Sequence, residues 1–523
     1  MPIRGCVIGL VLLAATGLSL AALDRTGRVL AANTLLLTLG TLALAVPGGT
    51  VLGLLLARLQ IPFGRLLLAL LVAVVVLPVY FHAAAWLAVF GPFGLLALGG
   101  PQQVWFPLAG SVGIHALYGT AWVALIVHVA ARSLDPHLEQ QALLWLGPWG
   151  VLWRVTLRQL WPAVAAAAAW VAALTAAEIT VTDLFRLRTF AEEFYLWLSL
   201  TAGEEGTAEA LRHTFPGVLL SVAVGWIALA LAAPWVLQLP RRSPPTPLPC
   251  RGRRLVAALA WCWAGLLLGA PLVALVHQAG IQVEQTAAGW LRSWSPEKAW
   301  QTTWQSLWEY RGELGWSALI AAAAATVALG VALPLAYLAR RRPLAAAALW
   351  LLAAGALATP GPWLGWIAML LFRSTGAPWL LWLYDHSLAA PVLVQSLRAL
   401  GPVLLVLWVA WATVPRDVEE QAAVLGCRPG RIFWQVMLPL RRRWLAGAWA
   451  LGLLAAWNEL PGTLLVLPPG VDTLPRQLFG LLHARVEDQV AGACLGLLAV
   501  VLLGAGGILY WNKKRSCQNP YLT

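Results

Sequence analysis

The chain has 523 residues, 60% of them hydrophobic and 11% charged, with a mean hydropathy of +0.76. Soluble domains carry roughly 25% charged residues, so this chain has too few charges to clothe globular surfaces. It reads as a polytopic membrane protein with room for about a dozen spans of roughly 20 residues. The net charge of +13 does not by itself imply nucleic acid, because its meaning depends on where the charges fall.

Apolar runs long enough to cross a bilayer cover 5–23, 34–57, 66–90, 109–131, 162–183 and 215–239, then 255–277, 316–339, 344–372, 388–413, 444–467 and 489–511. They are continuous and rich in Ala and Leu, without the alternating polarity of barrel strands, and so predict an all-α fold of about twelve transmembrane helices. The first run follows Arg4 and looks like a signal peptide, but more spans follow at once, which favours an uncleaved helix. With the N-terminus inside, basic residues favour the inner loops about two to one, as orientation by positive charge requires. Arg340, Arg341, Arg342, Arg441, Arg442 and Arg443 fall inside, while Glu192, Glu193, Glu204, Glu205, Glu309 and Glu313 fall outside. Both termini are then cytoplasmic, and the basic balance is an orientation signal. The six cysteines show no metal-ligand spacing or disulfide framework.

Between the sixth and seventh runs, Arg241-Arg242-Ser243-Pro244-Pro245-Thr246-Pro247-Leu248-Pro249-Cys250-Arg251 opposes helix and membrane burial alike. It predicts a cytoplasmic linker over 241–254 joining two halves, 1–240 and 255–523. Six spans per half is an even number, so both halves insert the same way.

The halves align without a gap after their fourth span, at an offset of 281 residues. Glu139 matches Glu420, Gln140 matches Gln421, Ala142 matches Ala423 and Leu144 matches Leu425. Pro148, Trp153, Val155 and Leu157 match Pro429, Trp434, Val436 and Leu438. The register continues to Glu178 and Glu459 in the next span. Parallel repeats of this kind are common in transporters that carry substrate between two halves.

The second copy reads Glu420-Gln421-Ala422-Ala423-Val424-Leu425-Gly426, nine residues, then Val436-Met437-Leu438-Pro439. Asp417, Glu419 and Glu420 suit a helix N-terminus, and Gly426 and Pro429 end the helix in a turn. The segment resembles the EAA loop of binding-protein-dependent ABC importer permeases, with Gln421 and Val436 as departures. The first copy is degenerate: Trp145 stands for the glycine and Arg158 for the proline, with Gly147 and Pro148 offering a nearby break. The resemblance implies that each loop docks in a groove of an ATP-binding cassette subunit, two copies in all, and that an extracytoplasmic substrate-binding protein delivers the cargo. It also implies a bacterial inner-membrane location.

Within that family the chain is most similar to the fused permeases of ferric-iron importers. The segments carrying this are Asn458-Glu459-Leu460-Pro461-Gly462-Thr463-Leu464-Leu465 and Gly470-Val471-Asp472-Thr473-Leu474. Thiamine and phosphonate permeases are built similarly, and the first-half counterpart Glu178-Ile179-Thr180-Val181-Thr182 lacks the proline.

Ionisable groups inside a membrane cost roughly 2.5–3.5 kcal/mol at a helix centre and tend to face a pathway or a partner. Glu178, Glu459 and Arg398 are therefore pathway candidates; the competing reading of the two glutamates is a hydrated carboxylate at a pore mouth. His82, His115 and His128 read as packed or hydrogen-bonded rather than as metal ligands. The 31 tryptophans suit interfacial anchoring, and Trp290, Trp294, Trp300, Trp304 and Trp308 are spaced for an amphipathic surface helix within 279–314. No G-x-x-x-x-G-K-[ST] loop occurs, so ATP hydrolysis is expected on another subunit. No metal, cofactor or catalytic set is expected in this chain. The alternative from a different class is an ion-coupled secondary transporter, which would work without an ATPase.

Overall fold

Proline decides where the long apolar runs bend. In the computed structural model, which describes residues 24–59, 61–91, 94–96, 107–132, 134, 136–200, 211, 214–227, 253–286, 289–484 and 486–518, the run expected as one span over 66–90 is two helices, α2 (Gly64–Val76) and α3 (Val79–Phe90), bent by 104°. The run over 344–372 is likewise α12 (Pro343–Ala358) and α13 (Gly361–Arg373), bent by 112°. Leu77 and Thr359, at the two bends, precede Pro78 and Pro360 and take extended backbone, with ψ of 132° and 127°. The ring of a following proline disfavours helical backbone in just this way.

The remaining helices of eight residues or more before residue 280 are α1 (Arg25–Arg58), α4 (Pro107–Arg132), α5 (Pro136–Leu143), α6 (Pro148–Ala177), α7 (Phe190–Leu200), α8 (Thr214–Ile227) and α9 (Arg254–Ala279). Those after it are α10 (Pro296–Glu309), α11 (Arg311–Ala339), α14 (Pro378–His386), α15 (Ala389–Ala412), α16 (Arg416–Val424), α17 (Arg442–Trp457), α18 (Leu474–Ala484) and α19 (Glu487–Gln518). Eleven of the twelve expected spans have a helical counterpart; the first, 5–23, lies outside the described residues. So does nearly all of the expected linker. The chain is an all-α polytopic membrane protein apart, among the described residues, from one hairpin, β1 (Ile281–Thr286) with β2 (Gly289–Trp294).

That hairpin corrects the tryptophan pattern. Trp290 and Trp294 lie on β2, and only Trp300, Trp304 and Trp308 share the exposed face of α10. The Ser295 hydroxyl accepts from the Lys298 amide and Pro296 occupies the first turn, so the helix begins there.

Two trios of helices form the core. α1, α4 and α6 pack on one another, and α11, α15 and α17 repeat the arrangement. Small residues make both possible. Gly49 and Gly53 bring α1 so close to α4 that a Cβ on Gly53 would lie 2.5 Å from the Ala124 carbonyl oxygen. In α11 the buried face is Ala321, Ala324, Ala325, Ala328, Ala332 and Ala336. Such faces let helix backbones approach where lipid offers no hydrophobic drive. Opposite faces keep Leu36, Leu39, Leu319 and Val331 exposed, as a lipid-facing surface does.

Some outer helices cross over. α9 and α19 pack against α2 and α3, whereas Trp226 of α8 is buried in the cluster built on α11, α12 and α15. Each trio is thus clasped by helices from the other part of the chain.

Candidate coupling loops and translocation cavity

At 34 residues α1 is about 51 Å long, well beyond the roughly 30 Å of hydrocarbon. Its last residue, Arg58, meets the loop after α4. Arg58 and Glu139 are both 1% exposed, with Arg58 Nε donating to a Glu139 carboxylate oxygen over 3.0 Å. The Thr156 hydroxyl donates to the same carboxylate over 2.6 Å. The Glu139 carboxylate is therefore engaged inside the protein and lies away from the loop surface.

The second trio repeats the device with a shifted register. Arg340, directly after α11, lies 3.4 Å from a carboxylate oxygen of Glu419, and Arg341 pairs with the same carboxylate. Glu419 is buried and Glu420 exposed, as Glu139 is buried and Gln140 exposed. Glu139 therefore corresponds to Glu419, an offset of 280, and the ungapped 281 register holds only from Pro148 and Pro429 onward. The helix period explains the slip, because the inward position must be conserved in space and the turn absorbs one residue. Ala142 and Ala422 then share the inward face.

The turns differ for the same reason. Gly426 takes a φ of +80°, a left-handed conformation that glycine reaches without strain. No residue of the first turn does so. The exposed tips are apolar in both copies: Leu144 and Trp145 in the first, Val424 and Leu425 in the second. Gln421, Gly426, Gly147 and Pro439 are also exposed, and Leu438 is half-buried. Beyond each turn the helix carries a π-helical insertion, Leu152–Thr156 and Ile432–Met437. Such insertions recur at functional sites.

Away from these loops, α6 ends at Ala177 and α17 at Trp457, each releasing a glutamate into a break. Glu178 accepts from the Thr180 and Val181 amides over 2.6 and 2.9 Å, and His115 Nε2 lies 3.4 Å from it. Glu459 accepts from the Gly462 amide over 2.9 Å and from Arg398 Nε over 2.6 Å. Both carboxylates thus cap the broken backbone and each has a cationic or ionisable neighbour. Glu178, Glu459, Arg398 and His115 all line one cavity of about 150 Å³, whose wall is drawn from both trios.

The three sequence-chosen pathway candidates therefore meet at one place. His115 is packed and hydrogen-bonded to the Ser111 carbonyl as the sequence predicts, but its place on the cavity wall is new, because a lone histidine in an apolar run carries no pattern of its own. His82 is hydrogen-bonded to the Val74 carbonyl, and His128 is buried.

Residues 333–510 match the family of binding-protein-dependent transport system inner membrane components. Among similar proteins, one from Salmonella typhimurium named as a 2-aminoethylphosphonate transport system permease protein is 35% identical over 92 residues, 18% of this chain and 35% of its own length. The molybdenum transport system permease protein of Mycobacterium tuberculosis is 35% identical over 128 residues, 23% of this chain and 47% of its own length. The putrescine transport system permease protein of Escherichia coli is 30% identical over 94 residues, 18% of this chain and 32% of its own. The chain thus spans about a third to a half of the length of the curated relatives it matches. These likenesses, each over part of the chain, are to permease proteins of transport systems and to an inner membrane component of binding-protein-dependent transport.

Proposed function

We propose that this chain is the permease subunit of an ATP-driven, binding-protein-dependent importer of a small solute in a bacterial inner membrane. The observation that carries the proposal is that the exposed loop Glu420–Gly426, of EAA type, lies inside the family match and projects apolar residues, Val424 and Leu425, from a short helix tied to the core. Residues 1–240 and 255–523 act as two permease halves joined by the 241–254 linker, with both termini cytoplasmic. Two ATP-binding cassette subunits grip the loop tips, and a substrate-binding protein docks at the opposite face.

The cavity between the trios is the translocation path in this reading. ATP-driven approach of the loops rotates the trios about it, so that the path opens to alternate sides. Ferric iron is the cargo suggested by the Asn458–Leu465 and Gly470–Leu474 segments. The relatives' names span a phosphonate, molybdenum and putrescine, so the cargo rests on those two segments alone.

Energised membrane vesicles containing the chain and its ATP-binding subunits test both levels. Uptake of ferric iron from a loaded binding protein is expected to require ATP, to stop with vanadate and to survive a protonophore. Uptake by the chain alone in proteoliposomes under an ion gradient would instead establish a secondary transporter. ATP-dependent uptake of phosphonate or thiamine, without iron, would keep the class and replace the cargo.

A further inference from the structure

We propose that Arg58–Glu139–Thr156 and Arg340–Arg341–Glu419 are a pair of repeat-related latches that lock each coupling loop to the first helix of its trio. Loop and trio then move as one rigid body. The inference rests on the permease reading and adds positioning residues that the EAA pattern does not specify, since Arg58, Arg340 and Arg341 lie outside it and Thr156 occupies its variable position opposite Met437.

Burial is the first argument. A carboxylate and a guanidinium at 1% exposure are held there as an ion pair, and removing one leaves a stranded charge. Such a pair is poor value for stability against an apolar contact but strongly fixes geometry. The second argument is repetition. In both trios the arginine closes the first long helix and the acid faces inward from the loop helix, although the sequence register has slipped by one. The pairing has been kept where the alignment was not.

The surroundings extend each latch. In the first, Thr156 is the last residue of the π-helical insertion that opens α6, so one carboxylate ties α1, the loop and α6 together. In the second, Arg340 Nη1 also donates to the Trp411 carbonyl at the end of α15. The Arg341 guanidinium lies over the Tyr337 ring at 5.2 Å, and Tyr337 packs on Phe433 of the insertion at 4.9 Å. Aromatic packing there does the work of the Thr156 hydroxyl. A loop pushed by a partner would otherwise swing on its turn; with the latch closed, the push reaches the helix ends and the cavity.

Spin labels test this in the assembled complex, with the six native cysteines replaced by serine. Leu144→Cys with Val51→Cys reads the loop against α1, and Leu144→Cys with Val424→Cys reads one loop against the other. ATP and vanadate are expected to shorten the loop-to-loop distance while the loop-to-α1 distribution stays narrow and unmoved. Glu139→Gln is expected to broaden the loop-to-α1 distribution about twofold, as local tethers do when broken, and to reduce the loop-to-loop response. Thr156→Val, which keeps both charges, is expected to give a smaller broadening. In the second trio Arg341→Gln, at a half-exposed position, provides a variant that spares the buried charges of the first.

A loop-to-α1 distribution in Glu139→Gln and Thr156→Val proteins, and a loop-to-α11 distribution from Val424→Cys with Val331→Cys in the Arg341→Gln protein, all indistinguishable from the parent, would overturn the latch. An unchanged loop-to-loop distance in the parent complex would overturn the permease reading and leave the latch measurement standing.

Discussion

The Arg398–Glu459 pair offers a sharp energetic test of the cavity. Arg398 reaches from α15 to the break after α17, and its Nε lies 2.6 Å from a carboxylate that is 3% exposed. Arg398→Met removes the cation while filling much the same volume, leaving Glu459 ionised with only the Gly462 amide as donor. Removing one partner of a buried pair costs about 3–5 kcal/mol, equal to roughly a hundredfold to a few thousandfold in the unfolding constant. Glu459→Gln leaves the guanidinium facing an amide NH2 and is expected to cost a similar amount. The double variant Arg398→Met/Glu459→Gln strands neither charge. Its cost should fall well below the sum of the two single costs, giving a coupling of about 2–3 kcal/mol, near the upper end for contacting residues. Steric trapping in bicelles measures the three values, and vesicle uptake is read in parallel. Costs that add within about 0.5 kcal/mol would show that the pair is open to water, and the buried geometry would be wrong.

Three further expectations concern other parts of the molecule. Gly53→Ala places a Cβ at 2.5 Å from the Ala124 carbonyl oxygen, about 0.9 Å inside the 3.4 Å of ordinary contact, so α1 and α4 are forced apart at a cost of about 1–3 kcal/mol. Gly113→Ala, which meets nothing within 4 Å, should be neutral in the same trapping assay, and equal effects at both positions would refute the close approach. Gly426→Ala strains a residue at φ +80° by about 1–2 kcal/mol and is expected to weaken ATP-binding subunit association, measured by co-purification, while Gly430→Ala does not. At the end of the trios away from the loops, Asp183 lies 3.1 Å from His483 and holds its imidazolium charged to higher pH than usual. Burial, and then Asp183, push the Glu192 carboxyl up to about 7. Both folded values are raised, so both contributions are complete at low pH. That of Glu192 is lost as pH climbs from about 4.5 toward 7, and that of His483 above about 6.5. Hydrogen exchange of 180–195 and 474–484, corrected for intrinsic rates, should quicken from pH 5.5 to 8.5; unchanged protection would refute the assignment.

The apolar runs made the rough position of the described spans readable, because a bilayer imposes its thickness on composition. The bends were written there too, as Pro78 and Pro360, but a hydropathy window averages across a proline that turns the chain by about a right angle. The hairpin hid for a related reason, since Trp290 and Trp294 continue a helical spacing that Ser295 and Pro296 interrupt.

The repeat-related carboxylates show what one-dimensional repeats measure. Glu178 and Glu459 kept both their register and their surroundings, each capping a broken helix beside the cavity, so sequence alignment led straight to them. Glu139 and Glu420 kept register without equivalence. The carboxylate that must face inward is Glu139 in one copy and Glu419 in the other, and the residue gained or lost in the turn is invisible to an ungapped comparison. Burial on a helix repeats every 3.6 residues, so a shift of one moves a side chain by about 100° around the axis, from core to surface. That rotation separates a carboxylate tied into the core from one held at the surface. In this chain it leaves Glu420 exposed, while Glu139 closes on Arg58.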